Sequence, residues 1–191
     1  MKKERPVTLS PCVCSSHPPK LDRRRWLYLA GGTVLASAFP AWRLGADEGK
    51  QYDAMAITCI DPRFQKPVHN YLGETIGHGR YSHLVIAGAG IAGVAPKLVD
   101  WHETLWSNLA ISLKLHRFTK VVLVQHRGCG AATEAYGFVD FKGKPESENQ
   151  LHQTVVSQFR DLLRQRHPQL CLKAVLMGLD GEVQALADDC H

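Results

Sequence analysis

The 191-residue chain is 45% hydrophobic and 21% charged, the composition of an ordinary globular domain with apolar material for one core, and it excludes a disordered or repetitive chain. Its formal net charge of +5 would suggest a polyanion partner, but residues 1–46 hold eight Lys/Arg against Glu4 and Asp22. That leaves 15 Lys/Arg against 16 Asp/Glu in residues 47–191, so the basicity belongs to the leader, the charge argument for a nucleic-acid partner fails, and none is expected.

In the leader, Asp22-Arg23-Arg24-Arg25-Trp26-Leu27 resembles the twin-arginine export motif, and the apolar stretch from Trp26 to Phe39 follows it directly. That stretch reaches Pro40 after 14 residues, whereas a spanning helix needs about 20. Ala36-Ser37-Ala38 has the small-x-small form of a cleavage site, with Leu44-Gly45-Ala46 as a poorer second candidate. Residues 1–46 are therefore read as export signal and linker, and residues 47–191 as one folded domain in the periplasm. If the signal is not removed, it is the only membrane contact. Of the six cysteines, Cys12 and Cys14 lie in the leader, while Cys171 and Cys190 are either free thiols or a pair.

From Tyr52 onward the apolar pattern predicts alternating strands and helices. Ala54–Cys59 reads as a short buried strand, and Phe64–Leu72 as a helix closed by Gly73. A polar loop with His78, Arg80 and His83 leads to a second strand over 84–87 and then to a Gly-rich turn. The next helix is predicted from Asp100, as N-cap with Glu103 as capping-box partner, to His116, with Leu105, Leu109 and Leu113 on one face. Val121–Val124 is a third apolar strand. Gln150–Arg166 is a second amphipathic helix, with Arg160, Arg164 and Arg166 on its solvated face, and Leu172–Leu179 is a last strand ending at the Asp180-Gly181 turn. The order predicts an α/β fold, a mostly parallel central sheet flanked by helices.

Two segments carry the chemistry. Cys59-Ile60-Asp61-Pro62-Arg63 follows the first strand, and His126-Arg127-Gly128-Cys129 follows the third. Open α/β sheets gather their ligands beyond the carboxyl ends of strands, so residues 67 apart in sequence can meet there. Two thiolates and an imidazole are the donors Zn²⁺ prefers, and a catalytic zinc site has three protein ligands with a fourth position open. Gly88-x-Gly90-x-x-Gly93 also fits the dinucleotide-binding fingerprint, but the following strand runs into Gln125 and His126 where an acid should meet the ribose. Close packing of backbone against the metal loop is the better account of those glycines. Trp101, Trp106 and Phe64 are read as core or subunit contacts, and His78, His83 and His102 as surface residues or a proton relay.

The Cys-x-Asp-x-Arg and His-x-x-Cys-Gly segments, the second completed by Gly130, resemble those of the β-class carbonic anhydrases. The resemblance implies that Cys59, His126 and Cys129 bind zinc, with Asp61 and Arg63 as the catalytic dyad next to the open position. It implies a β-carbonic anhydrase-like fold and a homodimer or higher homo-oligomer. The implied activity interconverts CO₂ and bicarbonate through zinc-bound hydroxide; two thiolates offset the charge of Zn²⁺, so its water should be less acidic than in an all-histidine site. Pro62 stands where the family more often has Ser, and Ile86–Gly90 keeps only an Ala-Gly pair of the family's Arg-Asn-Ala-Gly-Asn stretch. These departures leave room for an alternative, hydrolysis of carbonyl sulfide or carbon disulfide at the same zinc, and for a non-catalytic zinc-binding protein.

Overall fold

The computed structural model describes residues 51–137, 141 and 143–190, which belong to one compact unit. The twin-arginine leader, its two cysteines and the cleavage candidates lie outside the described residues. Five strands form one sheet in the order β2-β1-β3-β4-β5: β1 Ala54–Thr58, β2 Tyr81–Val85, β3 Lys120–His126, β4 Cys171–Met177 and β5 Val183–Asp188. The first four run parallel and β5 is antiparallel to β4. Helices are α1 Gln65–Thr75, α2 Ile91–Val94, α3 Val99–His116, α4 Gly130–Tyr136 and α5 Pro145–Arg166.

The predicted α/β sheet is the observed one, and its layers follow from strand alternation. Met55 and Ile57 of β1, with Val121 and Leu123 of β3, face Leu105, Trp106 and Leu109 of α3 and Val156, Phe159 and Leu163 of α5. Ala54, Ala56, Val122 and Val124 point the other way, onto Phe64 and onto Val68 and Leu72 of α1. β1 and β3 are buried on both faces, which is why they read as unbroken apolar runs. Among the described residues no helix is long and apolar enough to cross a membrane.

Several elements differ from the expectation. Gly73 does not close α1. It lies inside the helix, and a Cβ there would collide with the His78 ring; the chain turns instead at Gly77, with φ of +102°. The capping box of Asp100 and Glu103 does not form, because a 3₁₀ turn over Pro96–Leu98 moves the start of α3 two residues earlier, with Leu98 as the cap. Glu103 accepts the Ser107 hydroxyl instead. His83 lies within β2, where its Nε2 meets the Thr58 hydroxyl at 2.8 Å. Asp180-Gly181 does not end the sheet: it turns the chain into β5, whose residues are exposed or half-buried and whose apolar run is only Ala185–Ala187. The arginines of α5 are not merely solvated, since Arg160 and Arg164 pair with Asp189 and Arg166 stacks over Trp106. Cys171 and Cys190 form a disulfide.

Candidate metal centre

β1 and β3 are neighbours with Thr58 paired to Val124, so both carboxyl ends open at one edge of the sheet. Cys59 is the first residue past β1, His126 the last of β3, and Cys129 caps α4. The three ligand atoms, two Sγ and one imidazole nitrogen, lie within 4.8 Å of one another, and all three residues are buried. Within this set Cys59 and Cys129 are free thiols.

The imidazole is oriented for a ligand. His126 Nδ1 donates to the Arg127 carbonyl at 2.9 Å, and the Phe64 ring packs against it with centroids 4.0 Å apart. That leaves Nε2 buried without a hydrogen-bond partner, facing two sulfurs. A buried polar atom with nothing to bind is costly unless something absent from the protein itself satisfies it. The thiols carry the same message. A hydrogen bond from Cys129 lowers the Cys59 thiol far below its ordinary range, with the N–H groups of Gly88 and Asp61 adding to the effect. The same bond, with burial, pushes Cys129 up. Two buried thiols in contact can share one negative charge easily but not carry two, whereas a divalent cation among them would stabilise both thiolates. The cluster is able to bind a metal, and its donors fit zinc.

The flanking residues are held from several sides. Asp61 has φ −57° and ψ 120°, the extended geometry expected before Pro62, and caps a 3₁₀ turn over Pro62–Phe64 by accepting the Arg63 N–H at 3.0 Å. Pro62 therefore keeps the pair in register. Arg63 grips the Asp61 carboxylate through Nε at 3.0 and 3.2 Å and through Nη2 at 2.6 Å. This guanidinium holds the Asp61 carboxyl down at about 2. The same Nη2 donates to the Gly128 carbonyl at 2.9 Å, tying the first motif to the second. The Gly-rich turn supports the cluster, as the packing argument required: Gly88 donates its N–H to Cys59 Sγ at 3.2 Å, and a Cβ on it would come within 3.0 Å of the Ala131 and Ile91 side chains.

Sequence reasoning missed three contributors. Phe64 is core, but it also packs against the candidate ligand. Gln65 Nε2 donates to the carbonyls of Cys59 and Asp61 at 3.3 and 3.2 Å, fixing the backbone of the first motif. Glu148 of α5 accepts the Gly128 N–H at 2.6 Å. A polar residue two positions past the Cys59–Arg63 motif is a weak signal for Gln65; for Glu148 the sequence has none. The histidines considered for proton relay have partners elsewhere: His83 on Thr58, His78 stacked on His69 at 4.5 Å, and His102 Nε2 on the Ala95 carbonyl at 2.9 Å.

A parallel sheet edge bearing two thiols and an imidazole around an orphaned nitrogen defines an α/β protein with a candidate metal centre. Comparison with known proteins makes the assignment more specific. The chain belongs to the family described as "Putative carbonic anhydrase", whose profile matches residues 49–169. An uncharacterized protein of Rickettsia conorii is 27% identical over 132 residues, covering 69% of this chain and 70% of that one. Among solved structures, a β-carbonic anhydrase of Trichomonas vaginalis is similar at 16% identity and TM-score 0.49, over 74% of this chain and 85% of that one. A carbonic anhydrase of Glaciozyma antarctica is similar at 17% identity and TM-score 0.48, over 72% and 83%.

Proposed function

We propose that the protein is a zinc-dependent carbonic anhydrase of the β class, with Cys59, His126 and Cys129 as ligands and Asp61 and Arg63 as the catalytic dyad. The observation that carries this reading is the buried, unpartnered Nε2 of His126 facing two thiols, with an ion-paired carboxylate two residues past the first ligand. Zinc bound there would act as a Lewis acid that makes water acidic and nucleophilic near neutral pH.

The chain's own residues do the rest. Asp61 is ionised at any pH well above about 2, so it would accept a hydrogen bond from a water held beside the three ligands and orient that oxygen toward the carbon of CO₂. Arg63 contributes by fixing the carboxylate, because a free Asp61 could turn toward the ligand cluster and fill the position a water needs. Gln65 fixes the backbone at Asp61, and the Gly128 carbonyl fixes the Arg63 guanidinium.

Export to the periplasm through the twin-arginine leader belongs to the same proposal. The Cys171–Cys190 disulfide supports it, since such bonds persist in oxidising compartments. A homodimer or higher homo-oligomer is also proposed: β2 ends the sheet, and Ile111 and Leu115 of α3 are more than half exposed. A fast pH-indicator assay of CO₂ hydration on zinc-loaded protein, with Asp61→Asn as control, tests the activity. The expected result is a rate above buffer at alkaline pH that Asp61→Asn removes. No rate on CO₂ together with sulfide release from carbonyl sulfide would replace this substrate with the other.

A further inference from the structure

Glu148 is 5% exposed, in the first turns of α5, and acids are almost never buried to that degree unless paired. Its partners are in the loop between His126 and Cys129. Oε1 accepts the Gly128 N–H at 2.6 Å, and Oε2 accepts Arg127 Nη1 at 3.3 Å. Arg127 is itself fixed through Nη2, which donates to Asn149 Oδ1 at 2.7 Å and Gln184 Oε1 at 2.9 Å.

The Gly128 residue is the hinge of this arrangement. Its φ is +62°, and no atom lies within 4 Å of where a Cβ would be, so side-chain packing does not set its orientation. Hydrogen bonds do: Glu148 holds its N–H, and Arg63 Nη2 holds its carbonyl at 2.9 Å. The same Arg63 nitrogen lies 2.6 Å from Asp61 Oδ2. A continuous chain of charge-assisted bonds thus runs from α5 through one glycine to the dyad. Bonds of this type are short and roughly twice as strong as neutral ones, so they set geometry as well as energy.

We infer that Glu148 is a positioning residue, which fixes the Gly128 peptide groups and through them the Arg63–Asp61 pair beside the ligand cluster. The inference rests on the carbonic anhydrase reading for its rate consequences and on geometry alone for its spectroscopic ones. If Glu148 rotates away, Gly128 is free to turn, Arg63 loses its acceptor on the metal loop, and Asp61 is no longer held in one place.

The test uses the full-length protein, loaded with zinc for rates and with Co²⁺ for visible spectra, as Glu148→Ala, Glu148→Gln, Arg63→Ala and the double variant. Glu148→Ala should lose roughly 10- to 100-fold in kcat/KM, the scale expected when a reacting group is misplaced by about an ångström. Glu148→Gln, whose amide oxygen still accepts the Gly128 N–H, should recover rate relative to Glu148→Ala. In the Arg63→Ala background Glu148→Ala should cost nothing further, because both act on one chain of bonds. The Co²⁺ spectra of Glu148→Ala and Arg63→Ala should depart from wild type in the same way. Additive losses in the double variant, or a Glu148→Ala protein with unchanged rate and spectrum, would overturn the inference. A wild type inactive on CO₂ would sink the carbonic anhydrase reading, while the coincidence of the Co²⁺ spectra would still decide the role of Glu148. If Glu148→Ala does not fold, amide exchange decides: the Gly128 N–H should be protected in wild type and Glu148→Gln, and exchange as fast as an open loop amide would contradict the bond.

Discussion

His152 lies in the middle of α5, fully buried, with no hydrogen-bond partner for either ring nitrogen. Burial, helped by the charge of Arg127, pushes it down to about 4 from an ordinary 6.5. The unfolded chain therefore takes up this proton before the folded one does. The stability tied to neutral His152 is fully present above pH 6.5 and is lost as pH falls toward 4. Between pH 7.5 and 5.0 the two proton affinities predict a loss of ~2 kcal/mol from this group alone, approaching ~3 kcal/mol at pH 4. His152→Leu removes that loss, and it also removes two buried polar atoms that bind nothing, so it should not destabilise the protein at pH 7.5. Urea unfolding of wild type and variant at both pH values isolates the effect from His83 and His167, which burial shifts in the same direction. A variant that loses as much stability as wild type between pH 7.5 and 5.0 would refute the reasoning.

Other perturbations separate function from stability. Arg63→Ala should melt within about 2–4 °C of wild type, because a half-exposed ion pair contributes at most ~1 kcal/mol, yet lose ~100-fold in CO₂ hydration measured as kcat/KM. Gly88→Ala forces an L side chain to φ +77° and presses its Cβ onto Ala131 and Ile91; a loss of roughly 1–2 kcal/mol or more is expected in thermal melts, with metal binding weakened because Gly88 donates to Cys59. Replacing both Cys171 and Cys190 by Ser reopens a loop with a sequence separation of 19 and should cost ~3 kcal/mol in urea unfolding, while the metal content stays unchanged.

The strands that build the site were legible because the core decides their sequence. β1 and β3 carry the unbroken apolar runs Ala54–Ile57 and Val121–Val124 because both faces are covered, and each ends at its chemical motif. β5 was not legible: Val183–Asp188 is an edge strand with little buried side chain, held by backbone pairing to β4 that leaves no hydrophobic pattern. Helix bounds failed where the local signal met a stronger neighbour, as when the 3₁₀ turn at Pro96 displaced Asp100 from the cap. Within the site, Cys59, Asp61, Arg63, His126 and Cys129 were readable as two short motifs, and the structure brings them to one edge. Glu148 was not, because its bond goes to a backbone N–H 20 residues away and any acid on a helix surface would look the same.

One zinc held by two thiolates and an imidazole is the centre of the proposed function. Zinc-edge X-ray absorption on the purified full-length protein, with metal content measured on the same sample, tests it most directly. It predicts about one zinc per chain with two sulfur donors and one imidazole nitrogen, and loss of that zinc in His126→Ala. Protein that takes up no zinc while Cys59 and Cys129 remain reduced, or zinc bound by oxygen donors alone, would contradict it.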